Sequence, residues 1–272
     1  MQDLQDRVAI ITGGGSGIGR STALSLARAG VKVVVTDVDA ARAERVSAEI
    51  SATGGEALGQ RADVASDDDF VSLREAAMAR FGRIDIVMNN VGVLVIGLPE
   101  DIPVAVWQRV IDINLVSVAR SISVFLPGLL AQGGGHIVNT ASTAGLYAYS
   151  YERLPYSATK GAVIALSEAL ALYTRPQGVG VTVLCPGPVT TNIGQQIQIF
   201  GEPRKIHAPD LPTLDPAVVG DQVVDAIRRD IFLLPTHPEV HGLLVERAED
   251  PEGFLARQVD SLRAKDEAAH HD

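Results

Sequence analysis

Cysteine is almost missing from this chain of 272 residues: Cys185 stands alone, so no internal disulfide framework can form, and no Cys/His cluster has the spacing of a zinc site. A reducing, cytoplasmic setting fits that usage. Aromatic side chains reach only 4%, but hydrophobic residues reach 46%, enough to bury one large core, which points to a single domain over residues 1–272. Basic residues are outnumbered, 23 Lys and Arg against 33 Asp and Glu, for a formal net charge of -10. That balance argues against nucleic acid or an anionic membrane as a partner, and the scattered acids read as a solvated surface rather than an interaction tail. Met1 to Asp6 has no basic region ahead of an apolar core, and no apolar run reaches membrane-spanning length. His136, His207, His237 and His241 lack ligand-like spacing and His270-His271 close the chain, so no metal site is expected.

Glycine, by contrast, is concentrated where it has a use. The β-branched run Val8 to Ile11 reads as a buried strand, and Gly17 to Ala29 shows helical spacing at Ile18, Ala23, Leu26 and Ala27. Between them lies Gly13-Gly14-Gly15-Ser16-Gly17-Ile18-Gly19. Gly13 can adopt backbone angles closed to other residues, Gly17 lets the backbone approach a ligand, and Gly19 lets helix and strand pack closely. The free N–H groups and positive dipole end of the helix would then face a pyrophosphate. The spacing, Gly-x-x-x-Gly-x-Gly, shares the mechanism of the dinucleotide fingerprint without matching it letter for letter.

The second apolar run, Val31 to Val35, ends at Thr36-Asp37. A carboxylate there accepts hydrogen bonds from the adenosine ribose and repels a 2′-phosphate, and since Val38 and Ser16 are uncharged, NAD is favoured over NADP. Asp39 reads as the N-cap of a helix over 40–52. A third strand near Glu56 to Ala62 leads to Asp63-Val64, which should border the adenine. Ser66 caps a helix reaching Phe81, with Asp67 to Asp69 in its first turn as a helix start rather than a metal site. Strand Ile84 to Met88 runs into Asn89-Asn90-Val91-Gly92, where Asn90 can tie strand ends together and Gly92 keeps the loop clear of a cofactor. The apolar loop Val93 to Leu98 is either core or pocket wall. Helical spacing follows from Val104 to Leu130, interrupted by Pro127, with Asn114 in its middle needing partners or a function.

Strand Ile137 to Thr140 leads to Ser142, and a Tyr-rich loop leads to Tyr156-Ser157-Ala158-Thr159-Lys160. Residues 156 and 160 share one helix face, where an ammonium would favour the phenolate of a tyrosine whose ordinary pKa is about 10. The helix from Tyr156 to Thr174 is apolar on more than one face, which suits packing on the sheet and on a second subunit. Strand Val179 to Cys185 ends in Pro186-Gly187, Cys185 being most simply a small buried strand residue. Residues 192–215 lose periodicity and read as an irregular lid; a helix over Pro216 to Arg229, a strand over Ile231 to Leu234, and helix from Glu239 to Ala264, broken near Pro251 and Gly253, complete the chain.

Alternating strands and helices imply an α/β, doubly wound, mostly parallel sheet. With Thr12-Gly13-x-x-x-Gly17-x-Gly19, Asp63-Val64, Asn89-Asn90-x-Gly92, Asn114, Ser142, Tyr156-x-x-x-Lys160 and Pro186-Gly187 in this order, the chain resembles the short-chain dehydrogenase/reductase family, most strongly over residues 7–191. The resemblance implies a Rossmann-type sheet of seven strands in the order 3-2-1-4-5-6-7, with helices on both faces. It also implies an NAD(H)-dependent oxidoreductase interconverting a secondary alcohol and a ketone. Tyr156 would be the general acid/base, Lys160 would hold the nicotinamide ribose and lower the Tyr156 pKa, Ser142 would orient the substrate oxygen, and Asn114 would keep a proton-relay water. Nicotinamide contacts fall on Ile18, Asn90, Pro186, Gly187, Val189 and Thr191, next to the Gly13, Ser16, Gly17, Gly19, Asp37, Asp63, Val64 and Gly92 sites.

Val91 replaces the family's alanine, Ser142 and Tyr156 are 14 apart, one more than is commonest, and Pro235-Thr236-His237-Pro238-Glu239 stands where the family commonly has Asp-Gly-Gly. The last departure favours a homodimer through the helices around 104–130 and 156–174 over the usual homotetramer. Val93, Leu94, Val95, Leu146, Tyr147, Tyr149, Ile193, Ile197 and Phe200 are pocket candidates for an apolar small-molecule alcohol or ketone. The rival readings are an NAD-binding sensor or scaffold without turnover, and an NADPH-dependent reductase of carrier-bound acyl chains.

Overall fold

The structure, a computed structural model, describes residues 1–191, 193–194, 197–202 and 206–268. Asn192 at the head of the expected lid, Pro203 within it and the His270-His271 pair lie outside the described residues. Short β-branched runs buried on both sides form the centre: β1 Val8–Thr12, β2 Lys32–Asp37, β3 Ala57–Arg61 and β4 Ile86–Asn89 alternate with helices α1 Gly17–Arg28, α2 Ala40–Ala52 and α3 Asp67–Phe81. After β5 Val95–Gly97 come α4 Val104–Ile111 and α5 Ser117–Ala131, then β6 Gly135–Thr140, α6 Thr143–Leu146, α7 Leu154–Thr174 and β7 Val179–Cys185. β8 Gln198–Phe200, α8 Pro216–Arg229, β9 Leu233–Pro235, α9 Glu239–Glu249 and α10 Pro251–Ala268 follow.

Seven strands pair in parallel in the order β3-β2-β1-β4-β6-β7-β9. Counted among themselves, these follow the expected 3-2-1-4-5-6-7. The period of two along each strand splits the core. Ile11, Val33, Val35 and Met88 face Leu26, Ile50, Val223 and Ile227, whereas Ile10, Val34 and Val87 face Phe70, Leu73, Phe125 and Leu129. Because the strand order reverses between β1 and β4, a crevice opens at their carboxyl ends.

Local signals hold at the caps. The Asp39 carboxylate accepts from Ala41 N at 3.0 Å, and Ser66 Oγ accepts from Asp69 N at 3.2 Å, so the three aspartates open α3. Asp250 separates α9 from α10, where the break was expected, and accepts from Gly253 N at 2.9 Å.

Three expectations change. The apolar loop after Gly92 contains β5, which pairs in parallel with β8 in a second, two-stranded sheet, Val95 opposite Gln198 and Gly97 opposite Phe200. Residues 192–215 are therefore not wholly irregular; the pairing satisfies backbone groups that a loop over Ile96 would leave buried. Pro127 does not interrupt the helical region, because it lies on the exposed side of α5. The irregularity is instead a π turn, Asp112–Val116, centred on Asn114. Finally, Val104–Ala131 as a whole has the length and mean hydropathy, 1.6, of a membrane span, although charged residues interrupt it; Val118, Phe125, Leu126 and Leu129 are buried against the rest of the chain.

Candidate active site

The glycine turn after β1 is shaped as its sequence requires. Gly13 and Gly17 have φ of +63° and +52°, the left-handed region. A Cβ on Gly19 would lie 2.7 Å from Asn90 Nδ2 and 2.9 Å from the Gly13 carbonyl carbon, so Gly19 sits behind the turn and lets α1 touch β1. Asn90 fastens this corner: its N–H donates to Thr12 Oγ1 at 3.0 Å and its Nδ2 to Thr12 O and Gly13 O at 3.3 and 3.4 Å. Ser16 makes no side-chain cap and the first turn of α1 carries no acid, which leaves the helix N–H groups facing the crevice. A glycine cradle with open donors fits a dinucleotide pyrophosphate.

At the end of β2 the buried Asp37 carboxylate accepts from Asp39 N at 3.1 Å and would lie 2.7 Å from a Cβ on Gly15, against the glycine turn. Val38 is exposed. Asp63, just past β3, donates its N–H to Asp69 at 2.7 Å and accepts from Ala65 N at 2.9 Å, and Val64 follows it into the crevice wall. The carboxylate acceptors at this end suit ribose hydroxyls, beside a wall for an adenine.

Asn114 answers for its burial with partners. Its Oδ1 accepts from Val93 N at 2.8 Å, and its Nδ2 donates to Val93 O at 3.0 Å and Thr159 Oγ1 at 3.2 Å, so the amide clamps the loop beyond Gly92 as a strand would. Lys160 donates to Thr140 O at 2.8 Å, and a Cβ on Gly92 would stand 3.1 Å from its ammonium. Ser142 Oγ accepts from Ala144 N at 3.2 Å, donates to Pro186 O at 3.4 Å and hydrogen-bonds Tyr156.

Burial pushes the Tyr156 phenol up to about 12, against the smaller opposing effect of the Ser142 hydrogen bond. Burial likewise pushes Lys160 down to about 8. The Lys160 ammonium lies 5.6 Å from the centre of the Tyr156 ring. Desolvation of the phenolate sets the direction at Tyr156, so its pKa lies above the ordinary 10 with the Lys160 ammonium close to its ring. Cys185 is fully buried in β7, with its thiol pushed up to about 12 by burial.

One cleft of about 590 Å³ runs across the carboxyl ends of the strands. Gly13, Ser16, Gly17, Ile18, Asp37, Asp63 and Val64 line one end; Asn90, Gly92, Ser142, Tyr156 and Lys160 line the middle; Pro186, Gly187, Val189 and Thr191 close the far side. Gly19 and Asn114 stand behind the wall. Of the pocket candidates Val93, Leu94, Tyr149 and Ile193 line the cleft, whereas Val95, Leu146, Tyr147, Ile197 and Phe200 do not. Val95 packs with Ile102 and Val110, and Tyr147 turns to Phe254 of α10.

Sequence reasoning missed three arginines and a buried charge cluster. Arg42, Arg109 and Arg153 line the cleft. Beside Arg153, Glu152 and His207 are fully covered: the imidazole Nδ1 lies 2.6 Å from Glu152 and Nε2 lies 3.1 Å from Asp266 of α10. Burial alone would raise Glu152, but hydrogen bonds from Ser150, the His207 N–H and the imidazole hold its carboxyl below the ordinary 4.5. The available signal was position, since Arg153, the N-cap residue of α7, precedes Tyr156 by three residues.

A family model described as short chain dehydrogenase matches residues 7–200. A cyclohexanol dehydrogenase of Acinetobacter sp. (strain SE19) is 42% identical over 203 residues, 74% of this chain and 80% of the relative. Among solved structures, a short chain dehydrogenase/reductase from Burkholderia phymatum in complex with NAD is similar with a TM-score of 0.82 and 33% identity, over 93% of this chain and 96% of that one. A 3-ketoacyl-(acyl-carrier-protein) reductase from Brucella melitensis complexed with NADH gives 0.75 and 27%, over 86% and 97%.

Proposed function

The chain belongs to the short-chain dehydrogenase/reductase family, an oxidoreductase acting on CH–OH groups with a nicotinamide cofactor, and from that premise we propose that it interconverts a secondary alcohol and a ketone with NAD(H) as its preferred cofactor. The observation that carries the reading is the single cleft joining the glycine cradle and Asp37 at one end to Ser142, Tyr156 and Lys160 at its middle. The Acinetobacter relative is named for a cyclic secondary alcohol, which supports an apolar small-molecule substrate against Val93, Leu94 and Tyr149.

When bound, the nicotinamide supplies or accepts the hydride. The chain does the rest. Gly13, Ser16, Gly17 and Ile18 with the α1 N–H groups hold the pyrophosphate, Asp37 takes the adenosine ribose hydroxyls and disfavours a 2′-phosphate, and Asp63-Val64 border the adenine. Asn90, Gly92, Pro186, Gly187, Val189 and Thr191 wall the nicotinamide end. Tyr156 gives a proton to, or takes it from, the substrate oxygen; Ser142 donates to the same oxygen and orients it. Lys160 holds ribose hydroxyls and supplies positive charge beside the phenol, and Asn114 keeps the loop at Val93 and the proton relay past Lys160 in place.

A neutral phenol with a pKa of about 12 is matched to the reductive direction, in which it donates. In the oxidative direction the phenol must first lose that proton, so turnover should rise with pH. The same reading takes the chain as one cytoplasmic domain. It acts as a homodimer or homotetramer through apolar side chains that α4 and α7 leave exposed, Val104, Leu172 and Tyr173. Reduction of NAD and of NADP across secondary alcohols, followed at the nicotinamide absorbance, tests it: the account expects NAD to give the higher kcat/KM, and an NADP preference would remove Asp37 from its role.

A further inference from the structure

The carboxylates on the cleft wall are confined to one end. Asp37, the last residue of β2, and Asp63, just past β3, stand at the nucleotide end together with Arg42. Around Tyr156, the wall carries Arg153 and Lys160, with Arg109 of α4 also on the wall, and among the described residues no carboxylate lines that end. In a chain whose net charge is -10, an acid-free basic pocket is a local arrangement and not a reflection of composition.

Arg153 is the unusual member. The residue is 8% exposed, and among the described residues its guanidinium pairs with no carboxylate. Its donors go to neutral acceptors: Nε to Ser150 Oγ at 3.1 Å, Nη1 to Tyr149 OH at 3.4 Å and Nη2 to the His207 carbonyl. Glu152, next to it in sequence, does not pair with it directly but bonds the same Ser150 hydroxyl and His207. A guanidinium has five N–H donors in a fixed fork, so two remain after these three. A buried cation without a directly paired anion is costly, and the fork geometry suits a carboxylate. Arg109 is exposed and held only through Gln198 Oε1 at 3.1 Å, also free of any carboxylate among the described residues.

From this placement we infer that the substrate carries a carboxylate bound by Arg153, with Arg109 drawing it in, so that the enzyme acts on a hydroxy acid or oxo acid with an apolar body. Arg153 is the N-cap residue of α7, three residues before Tyr156, and both line the same cleft, which places the anionic group on the same wall as the reacting carbon. The inference rests on the dehydrogenase reading and narrows its substrate class. A single guanidinium with two free donors matches the two oxygens of a carboxylate better than a phosphate, which would seek further donors.

The test compares 3-hydroxycyclohexanecarboxylate, its methyl ester and its amide as substrates with NAD, in wild type and in Arg153→Gln, Arg153→Lys and Arg109→Gln. In wild type, kcat/KM for the acid should exceed that for the ester and the amide by at least tenfold, and the ratio should shrink as salt rises. Arg153→Gln should bring the ratio close to one, Arg153→Lys should restore it in part, and Arg109→Gln should weaken it mainly through KM. Equal turnover of acid and ester in wild type, or an unchanged ratio in Arg153→Gln, overturns the inference while leaving the dehydrogenase standing. Calorimetry on the wild-type NADH complex provides an arm that needs neither turnover nor a variant. Cyclohexanecarboxylate should bind at least tenfold tighter than cyclohexanecarboxamide, and equal affinities overturn the inference even if no alcohol is oxidised.

Discussion

Two glycine-to-alanine substitutions, both in helices, should move stability in opposite directions. Gly242 lies inside α9 with nothing within 4 Å of where its Cβ would be. Alanine there removes backbone freedom from the unfolded chain and should add about 0.5–1 kcal/mol. Gly19 has the same propensity to gain, but its Cβ would overlap the Gly13 carbonyl group and Asn90 Nδ2 at 2.7 Å. Neither neighbour is a flexible chain end: Gly13 is backbone in a left-handed turn, and Asn90 is fixed to Thr12 at two points. Relief requires α1 to move away from β1, which opens the Leu26 contacts with the sheet, overpacks α1 on α8 and strains the Asn90 bond to Gly13 O. Overpacking at about 3 kcal/mol plus one weakened hydrogen bond at about 1 kcal/mol outweighs the helical gain, for a net loss of about 3 kcal/mol. The same displacement shifts the open N–H groups of the turn, so NADH affinity should fall at least tenfold. Urea unfolding and NADH fluorescence titration of both variants decide it. A Gly19→Ala protein within about 0.5 kcal/mol of wild type that binds NADH equally well would refute the packing argument.

Asn114→Ala should cost about 2 kcal/mol or more in urea unfolding, since it strips the Val93 N–H and carbonyl of their partners, and should lower kcat by loosening the loop at Gly92. Asp37→Ser should raise the NADP-to-NAD ratio of kcat/KM at least tenfold by removing the charge that opposes a 2′-phosphate. Glu152, held below its ordinary 4.5 in the folded chain, contributes stability that is present above that value and is lost as pH falls through the lower folded value. The thermal midpoint of wild type should therefore drop as pH falls below about 4.5, and Glu152→Gln should flatten that part of the profile; identical slopes would remove the carboxyl from the account.

What was legible in the sequence was local. Ile10 and Ile11 announce a strand buried on both sides, Asp39 and Ser66 announce the helices they cap, and Tyr156 and Lys160 meet because four residues make one helical turn. The order of the seven strands came from the family pattern, since periodicity fixes an element and not its neighbour. What escaped depends on chain segments far apart: β5 finds β8 roughly a hundred residues later, and His207 finds Glu152 and Asp266 from three different segments. The π turn escaped for another reason, because Asn114 keeps helical spacing while its amide is taken up by Val93. The raised pKa of Tyr156 escaped because the burial that causes it depends on the folded surroundings, which the sequence does not display.

The central claim, that Tyr156 handles the proton in a dehydrogenase built on this cleft, is tested most directly by Tyr156→Phe. NAD-dependent oxidation of an alcohol turned over by wild type should fall by at least a thousandfold in this variant, while NADH binds within about threefold of wild type, since the ring still fills its place beside Lys160. A phenylalanine variant that retains turnover within tenfold of wild type would contradict it.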